Sequence, residues 1–324
     1  MGWISRLMGG SDSGTGQAAA SEQVKAREQE RQAGRIGHDI DVAYYNWLTG
    51  SAGFAAPAEL EQAMLAEARA LVDRPDEAAG LVPRVPEVIQ QLLGSLGDDG
   101  ASAGELKTMV AKDVVLVAEV IREANSSYFS AMAPVNTIEA AIMRLGQAGL
   151  RMLLARIAFR PVIRMQSGGF ASRVAPRVWQ QSERCALAAS LVASGLSAGA
   201  FEAYLAGLIQ NVGLIVAFRV AGDLSPKGAM PRSAEFGIAM LACGRLLSAG
   251  IARHWEFPPD VCDAIAHAGD PDTALAQALA RGDRIAKLRL LLDAGVIAED
   301  DALVTDSLDS FQRRCLGKLE NLDD

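Results

Sequence analysis

The sequence predicts an all-α protein with an N-terminal helical extension, and three observations carry that reading. Half of the 324 residues are apolar but only 5% are aromatic, and 57 are alanine, so the apolar material is mostly small and helix-favouring. Apolar residues recur at three- and four-residue spacing in segment after segment, with no alternating stretch that marks a strand. The intervening segments are short and carry Gly, Pro, Asn and Ser, as connections between helices do.

Residues 1–37 read as a polar, flexible N-terminal segment. Trp3, Ile4, Leu7 and Met8 share one face of a short amphipathic start, Gly9 to Gln17 is a Gly/Ser-rich linker, and residues 21–35 are a solvated helix or coil. Residues 38–77 form the helical extension. Ile40, Ala43, Tyr44, Trp47 and Leu48 recur at helical spacing before Gly50 as a stop, and Pro57 opens a helix that runs to Val72. The first of these helices either packs on the main domain or docks a partner.

The main domain is expected over residues 78–290. Leu106, Met109, Val110, Val114, Val117, Val120, Ile121 and Ala124 form one apolar stripe. Ile138, Ala141, Ile142 and Leu145 form a second, and Leu150, Leu153, Leu154 and Ile157 a third. Ala186 to Val192 and Ala203 to Phe218 are apolar nearly all round and belong at the centre. The second of these is shorter than a membrane span and has Gln210 and Asn211 near its middle, so it reads as a buried core helix. Residues 291–324 complete the chain as a helical tail.

Composition excludes several functions. A net charge of −8 and a pI of about 5.1 argue against bulk nucleic-acid binding. Cys185, Cys243, Cys262 and Cys315 include no C-x-x-C pair and read as buried hydrophobes in a reducing compartment. His38, His254 and His267 lie too far apart in sequence for a His-rich metal centre. No nucleotide-binding loop, nucleophile elbow or zincin motif is present, and the paired carboxylates at Asp98-Asp99 and Glu299-Asp300-Asp301 read as surface charge. With no convincing targeting segment, the expected location is the cytoplasm.

Three motifs in order carry a resemblance. Leu81-Val-Pro-Arg-Val-Pro-Glu, Ile121-Arg-Glu-Ala-Asn-Ser-Ser-Tyr-Phe and Pro134-Val-Asn-Thr-Ile-Glu-Ala-Ala-Ile-Met-Arg-Leu-Gly resemble successive segments of HDOD domains, and Trp255-Glu-Phe-Pro and Ala264-Ile continue the match. The resemblance implies an HD-like helical core related to the HD phosphohydrolases, whose His and Asp side chains hold divalent metals. It places the vestigial HD site at Gln181, Gln210, Asn211, Gly244 and Ala268, with His267 one place from the last. Gln and Asn offer neutral amides, which neither balance a dication's charge nor act as a general base at neutral pH. The expectation is therefore no catalytic residue, no metal and no cofactor, with Gln210 and Asn211 in a structural role.

That resemblance further implies a bacterial signal-transduction regulator working through protein partners, often alongside cyclic-dinucleotide circuits. The alternatives are a metal-dependent phosphodiesterase with an unusual site and a sensor binding a nucleotide second messenger. One compositional feature bears on partners. Residues 144–184 hold eight Arg and a single acid, Glu183. Arg156, Arg160 and Arg164 recur every four residues and align if the helix continues past Pro161. They are either a docking face for an acidic partner or nucleotide, or pairing sites for the acidic remainder of the chain.

Overall fold

The computed structural model describes residues 13–50, 54–83, 104, 108, 110–111, 114–125, 133–164, 168–225 and 228–320. The face expected from Trp3 to Met8, most of the first motif from Arg84 to Glu87, and the start of the first apolar stripe, Leu106 and Met109, lie outside those residues. The elements are α1 (Ser13–Thr49), α2 (Ala58–Ala70), α3 (Pro75–Gly80), α4 (Val114–Ala124), α5 (Ile138–Arg164), α6 (Gly169–Ala193) and a single 3-10 turn (Ser194–Leu196). They continue with α7 (Ala200–Ile209), α8 (Val212–Leu224), α9 (Ala234–His254), α10 (Pro259–Ala266), α11 (Ala274–Asp293), α12 (Ala302–Thr305) and α13 (Ser310–Lys318). Among the described residues the only β-pairing is an isolated bridge between Phe54 and Pro231. The all-α expectation is correct.

The centre of the fold is α6. Phe170, Val174, Val178, Trp179, Cys185 and Val192 are all buried along it, and a helix buried nearly all round has to be covered on every side. It is covered by α11, α7, α8 and α5. The contact with α11 is close enough to demand glycine: a Cβ on Gly282 would stand 2.7 Å from the Cα and Cβ of Ala189. Helices α9 and α10 close the other flank, and α2 and α3 pack on α9.

The N-terminal extension is part of this core. Ile40, Tyr44, Tyr45 and Leu48 are each 1% exposed or less, on one helical stripe. The Tyr45 hydroxyl donates to the Pro231 carbonyl at 3.0 Å, and its ring lies against Phe218 and Phe236. The boundary expected at 37/38 falls inside α1, which is helical from Ser13 onward, so the described end of the Gly9–Gln17 linker is helix too. The N-terminal part is nevertheless solvated, with Glu28, Arg31, Gln32 and Arg35 exposed.

Two further differences have local causes. The second and third expected stripes share one run, α5, interrupted by Gly146 at φ 68°, a conformation that glycine adopts without a Cβ penalty. The apolar stretch Ala203 to Phe218 is two helices, parted at Gln210 and Asn211. The stretches Ala200–Leu224 and Ala234–His254 are long and apolar enough to cross a membrane by length and composition, with 78% and 56% of their windows buried. Core packing accounts for that apolar character.

The Asn of the second motif acts as a clip. Asn125 donates through Nδ2 to the Val135 carbonyl at 2.7 Å and accepts from the Val135 N–H at 2.9 Å. Arg144 donates to the Ala124 carbonyl at 3.0 Å and also to the Ala133 carbonyl. The side chains at 125 and 144 thereby tie the end of α4 to the approach to α5.

A chain beginning at His38 should keep its helicity and its melting temperature within a few degrees, measured by circular dichroism. Gly282→Val should instead cost about 1–3 kcal/mol through overpacking against Ala189.

Candidate functional site

The break between α7 and α8 positions the polar centre. Asn211 leaves helical geometry, at φ −109° and ψ 1°, so the last carbonyls of α7 need other partners. Ser248 on α9 serves them: its hydroxyl lies 2.7 Å from the Gln210 carbonyl and 2.9 Å from the Gly244 carbonyl, and accepts from the Gly213 N–H at 2.8 Å. The turn is fixed by a side chain from a neighbouring helix, and it aims the side chains of Gln210 and Asn211 at α6 and α11.

There they meet Asp283. Gln181 on α6 donates through Nε2 to Asp283 Oδ1 at 2.5 Å, and Gln210 donates to the same oxygen at 3.1 Å and to Cys185 Sγ at 2.8 Å. Asn211 donates to the Gln181 amide oxygen and to Ser182 Oγ. The other carboxylate oxygen, Oδ2, accepts from Lys287 Nζ at 2.6 Å, with Arg245 Nη2 3.8 Å away. Lys287 also donates to Asp41 on α1 at 2.6 Å and lies 5.3 Å from the centre of the Tyr44 ring. Five helices, α1, α6, α7, α9 and α11, contribute to one neutral set of two carboxylates and two cations.

The electrostatics follow from that pairing. Burial raises the pKa of the Asp283 carboxyl, but Lys287 and Arg245, with hydrogen bonds from Lys287 and Gln210, outweigh it and hold the group below its ordinary value. Burial works downward on Lys287, and the carboxylates of Asp283 and Asp41 outweigh it, so the ammonium is held above its ordinary value. Burial, reinforced by Asp283, pushes the Cys185 thiol up, which makes it an unreactive acceptor. All four cysteines are free and buried, in keeping with their reading as small hydrophobes.

A divalent ion does not fit this donor set. The buried oxygens comprise one carboxylate already bound by an ammonium, together with neutral amides, and a dication there would face the charges of Lys287 and Arg245. Among the described residues no group of three or more His, Cys, Asp or Glu could hold a metal.

Of the five residues expected at the vestigial site, Gln181, Gln210 and Asn211 are brought together around Asp283, and Gly244 and Ala268 are not among the residues that contact it. A Cβ on Gly244 would stand 2.8 Å from the Leu214 Cα, so helix packing leaves no room for a side chain. The next residue, Arg245, is the one that faces Asp283. Ala268 packs against the apolar core, and the exposed His267 ring bonds the Asp263 carbonyl one turn back in α10. Sequence reasoning missed Asp283, Lys287 and Asp41. The i, i+4 Asp–Lys spacing was the available signal, masked by the other charges of the same helix, Arg281, Arg284 and Arg289.

The Arg-rich segment is largely satisfied internally. Arg156 pairs with Glu123 and lies 3.9 Å from Glu183, which takes it out of the expected docking face. Arg151 stacks on Phe201, Arg177 donates to the carbonyls of Trp47 and Leu48, and the buried Arg184 meets Asp293 at 3.4 Å. The helix does continue past Pro161, and Arg160 and Arg164 remain exposed.

Comparisons with known proteins bear on the whole arrangement. The family model described as "HDOD domain" matches residues 82–271. A crystal structure of an HDOD domain protein from Geobacter sulfurreducens is similar at TM-score 0.56 and 21% identity, covering 80% of this chain and 94% of that one. A candidate metal-dependent phosphohydrolase from Shewanella amazonensis SB2B is similar at TM-score 0.54 and 17% identity, covering 81% and 100%. A candidate signal transduction protein from Marinobacter aquaeolei VT8 is similar at 0.51 and 21%, covering 78% and 63%. At these identities the likeness is one of fold. An uncharacterized protein of Treponema pallidum is 22% identical over 208 residues, 61% of this chain, and the chain spans 39% of its length.

Lys287→Met should cost about 3–5 kcal/mol, because it takes the ammonium away from the buried Asp283 carboxylate. Adding Asp283→Asn should recover part of that loss, as read by urea unfolding of the two variants. The pH profile has a stated sign. Asp283, held below its unfolded value, stabilises above about pH 4 and loses its contribution as pH falls through the folded value. Lys287, held above its unfolded value, stabilises below about pH 10 and loses its contribution as pH rises through the folded value. The double variant should flatten both limbs.

Proposed function

The chain belongs to the HDOD family, and from that premise we propose that it is a non-catalytic signal-transduction regulator of the bacterial cytoplasm that works by binding protein partners. The observation that carries the reading is the Lys287 ammonium seated between Asp283 and Asp41, with Gln181, Gln210 and Asn211 around it. Hydrolysis of a phosphoester on an HD framework needs a metal to activate water and screen the anionic substrate. Here the charges of the centre balance, and Asp283 and Lys287 are hydrogen-bonded to groups of the protein itself. The set serves to hold five helices in register, which suits a rigid platform for recognition.

Metal analysis of the purified chain, followed by assay against bis(p-nitrophenyl) phosphate and cyclic dinucleotides with added Mn, Fe or Zn, tests the non-catalytic part. The expected result is neither stoichiometric metal nor metal-dependent hydrolysis. Stoichiometric metal with metal-dependent turnover would establish the phosphodiesterase instead.

The partner-binding part rests on surface charge. Arg160 and Arg164 are the exposed members of the Arg series, and exposed arginines contribute little to stability, about 0–1 kcal/mol each. Arg160→Glu with Arg164→Glu should leave melting unchanged and weaken capture of an acidic partner from the native cell, with capture also falling as salt is added. Arg156→Glu should lower the melting temperature, since it sets a carboxylate against Glu123 and Glu183. Undiminished capture by the double variant would remove these two residues from the partner surface.

A further inference from the structure

Helix α11 presents a second polar face. Asp283 and Lys287 look into the centre, whereas Gln277, Arg281 and Arg284 line a recess of about 420 Å³ together with Ser307, Asp309 and Gln312. Spacings of four and seven residues put Gln277, Arg281 and Arg284 on one side of the helix. That volume lies in the range of small-molecule sites, about 300–1,000 Å³. Most of the lining lies beyond residue 271, where the family match ends.

The two arginines differ from the other cations of α11. Lys287 and Arg289 each pair with carboxylates. Among the described residues Arg281 and Arg284 have no carboxylate oxygen within 4.0 Å. Arg281 donates to the Gln277 amide oxygen at 3.1 Å, and Arg284 reaches the Ser307 carbonyl at 3.4 Å. The carboxylate in the lining, Asp309, is engaged elsewhere: it caps α13 by accepting from the Gln312 N–H at 2.8 Å. Burial lowers the pKa of the Arg284 guanidinium, Asp283 and Asp41 oppose that, and the like charge of Arg281 adds to it. Among the described residues each guanidinium hydrogen-bonds only a neutral acceptor, and an anion placed between them would offset the repulsion of Arg281 on Arg284, which stands beside the larger pull of Asp283 and Asp41.

We propose that this recess binds a small anion carrying a phosphoryl group, gripped between Arg281 and Arg284. A phosphoryl dianion offers three oxygens to two planar donor forks, a match that a single carboxylate fills less completely. The proposal asks nothing of the Lys287 centre and stands whether or not the protein is catalytic.

The test is calorimetric titration of the full chain with sodium phosphate against sodium chloride at equal ionic strength. Saturable one-site binding is expected. Arg281→Gln should weaken it by roughly tenfold or more, the loss of a charge-assisted contact. Arg284→Gln should do the same, and Arg160→Gln with Arg164→Gln should leave it unchanged. Among the described residues Arg281 hydrogen-bonds only the Gln277 side chain, so its variant decides the matter even if Arg284→Gln lowers the melting temperature. The proposal is overturned by the absence of saturable heat up to roughly 10 mM phosphate. Full affinity in Arg281→Gln, or loss of binding in the Arg160/Arg164 variant, overturns it equally.

Discussion

The ammonium of Lys287 lies between carboxylates from two different helices, and a buried charge tolerates few arrangements of its surroundings. Asp283 has to stay opposite it, Asp41 has to approach from α1, and the second oxygen of Asp283 has to be satisfied by amides from α6 and the end of α7. Each requirement fixes the rotation of a helix about its axis. The apolar contacts around the centre add their own constraint, because Gly207, Gly244 and Gly282 each meet backbone atoms of a facing helix too closely for a side chain. The charged set and these close approaches fix the same packing together.

The fold was legible in the sequence to the extent that periodicity and turn chemistry decide it. The Ile40 to Leu48 stripe follows from the 3.6-residue period, the start at Pro57 from proline's place in a first turn, and the burial of Ala186 to Val192 within α6 from its being apolar nearly all round. The reach of α1 back to Ser13 was not legible, since polar residues without a buried face leave helix and coil equally open. The break at Gln210 and Asn211 was hidden because its cause, Ser248, is far away in the chain. At the candidate site, motif matching pointed to Gln181, Gln210 and Asn211, which the fold brings together. It also pointed to Gly244, which packs against Leu214, while its neighbour Arg245 faces Asp283. Asp283 and Lys287 escaped because a charged pair four apart reads as surface until the helix carrying it is known to be buried.

The cluster of positive charge between residues 144 and 184 shows how far composition can inform on a surface. Most of its arginines are spent on carbonyls, aromatic faces and carboxylates that come from other parts of the chain. A run of like charge in a central helical segment is what an acidic protein needs to neutralise the carboxylates that fold against it. Arg160 and Arg164 are exposed without being alone in it, since Arg173 and Arg177 are exposed too and their bonds to carbonyls leave their charge in place.

Helix α1 joins two regimes within one unbroken run. From Ile40 onward its side chains are locked in the core, while residues near Arg31 and Arg35 face solvent. Gly34 and Gly37 stand where the regimes meet, with nothing within 4 Å of where a Cβ would be. Each glycine weakens a helix interior by about 1 kcal/mol relative to alanine. The two glycines make this border a weak stretch of the helix, so fraying among the solvent-facing residues near Arg31 and Arg35 is expected to stop short of the turns from Ile40 onward. Amide exchange should then be faster around Arg31 and Arg35 than from Ile40 onward, with the change falling directly ahead of Asp41 and the buried charges it helps to hold.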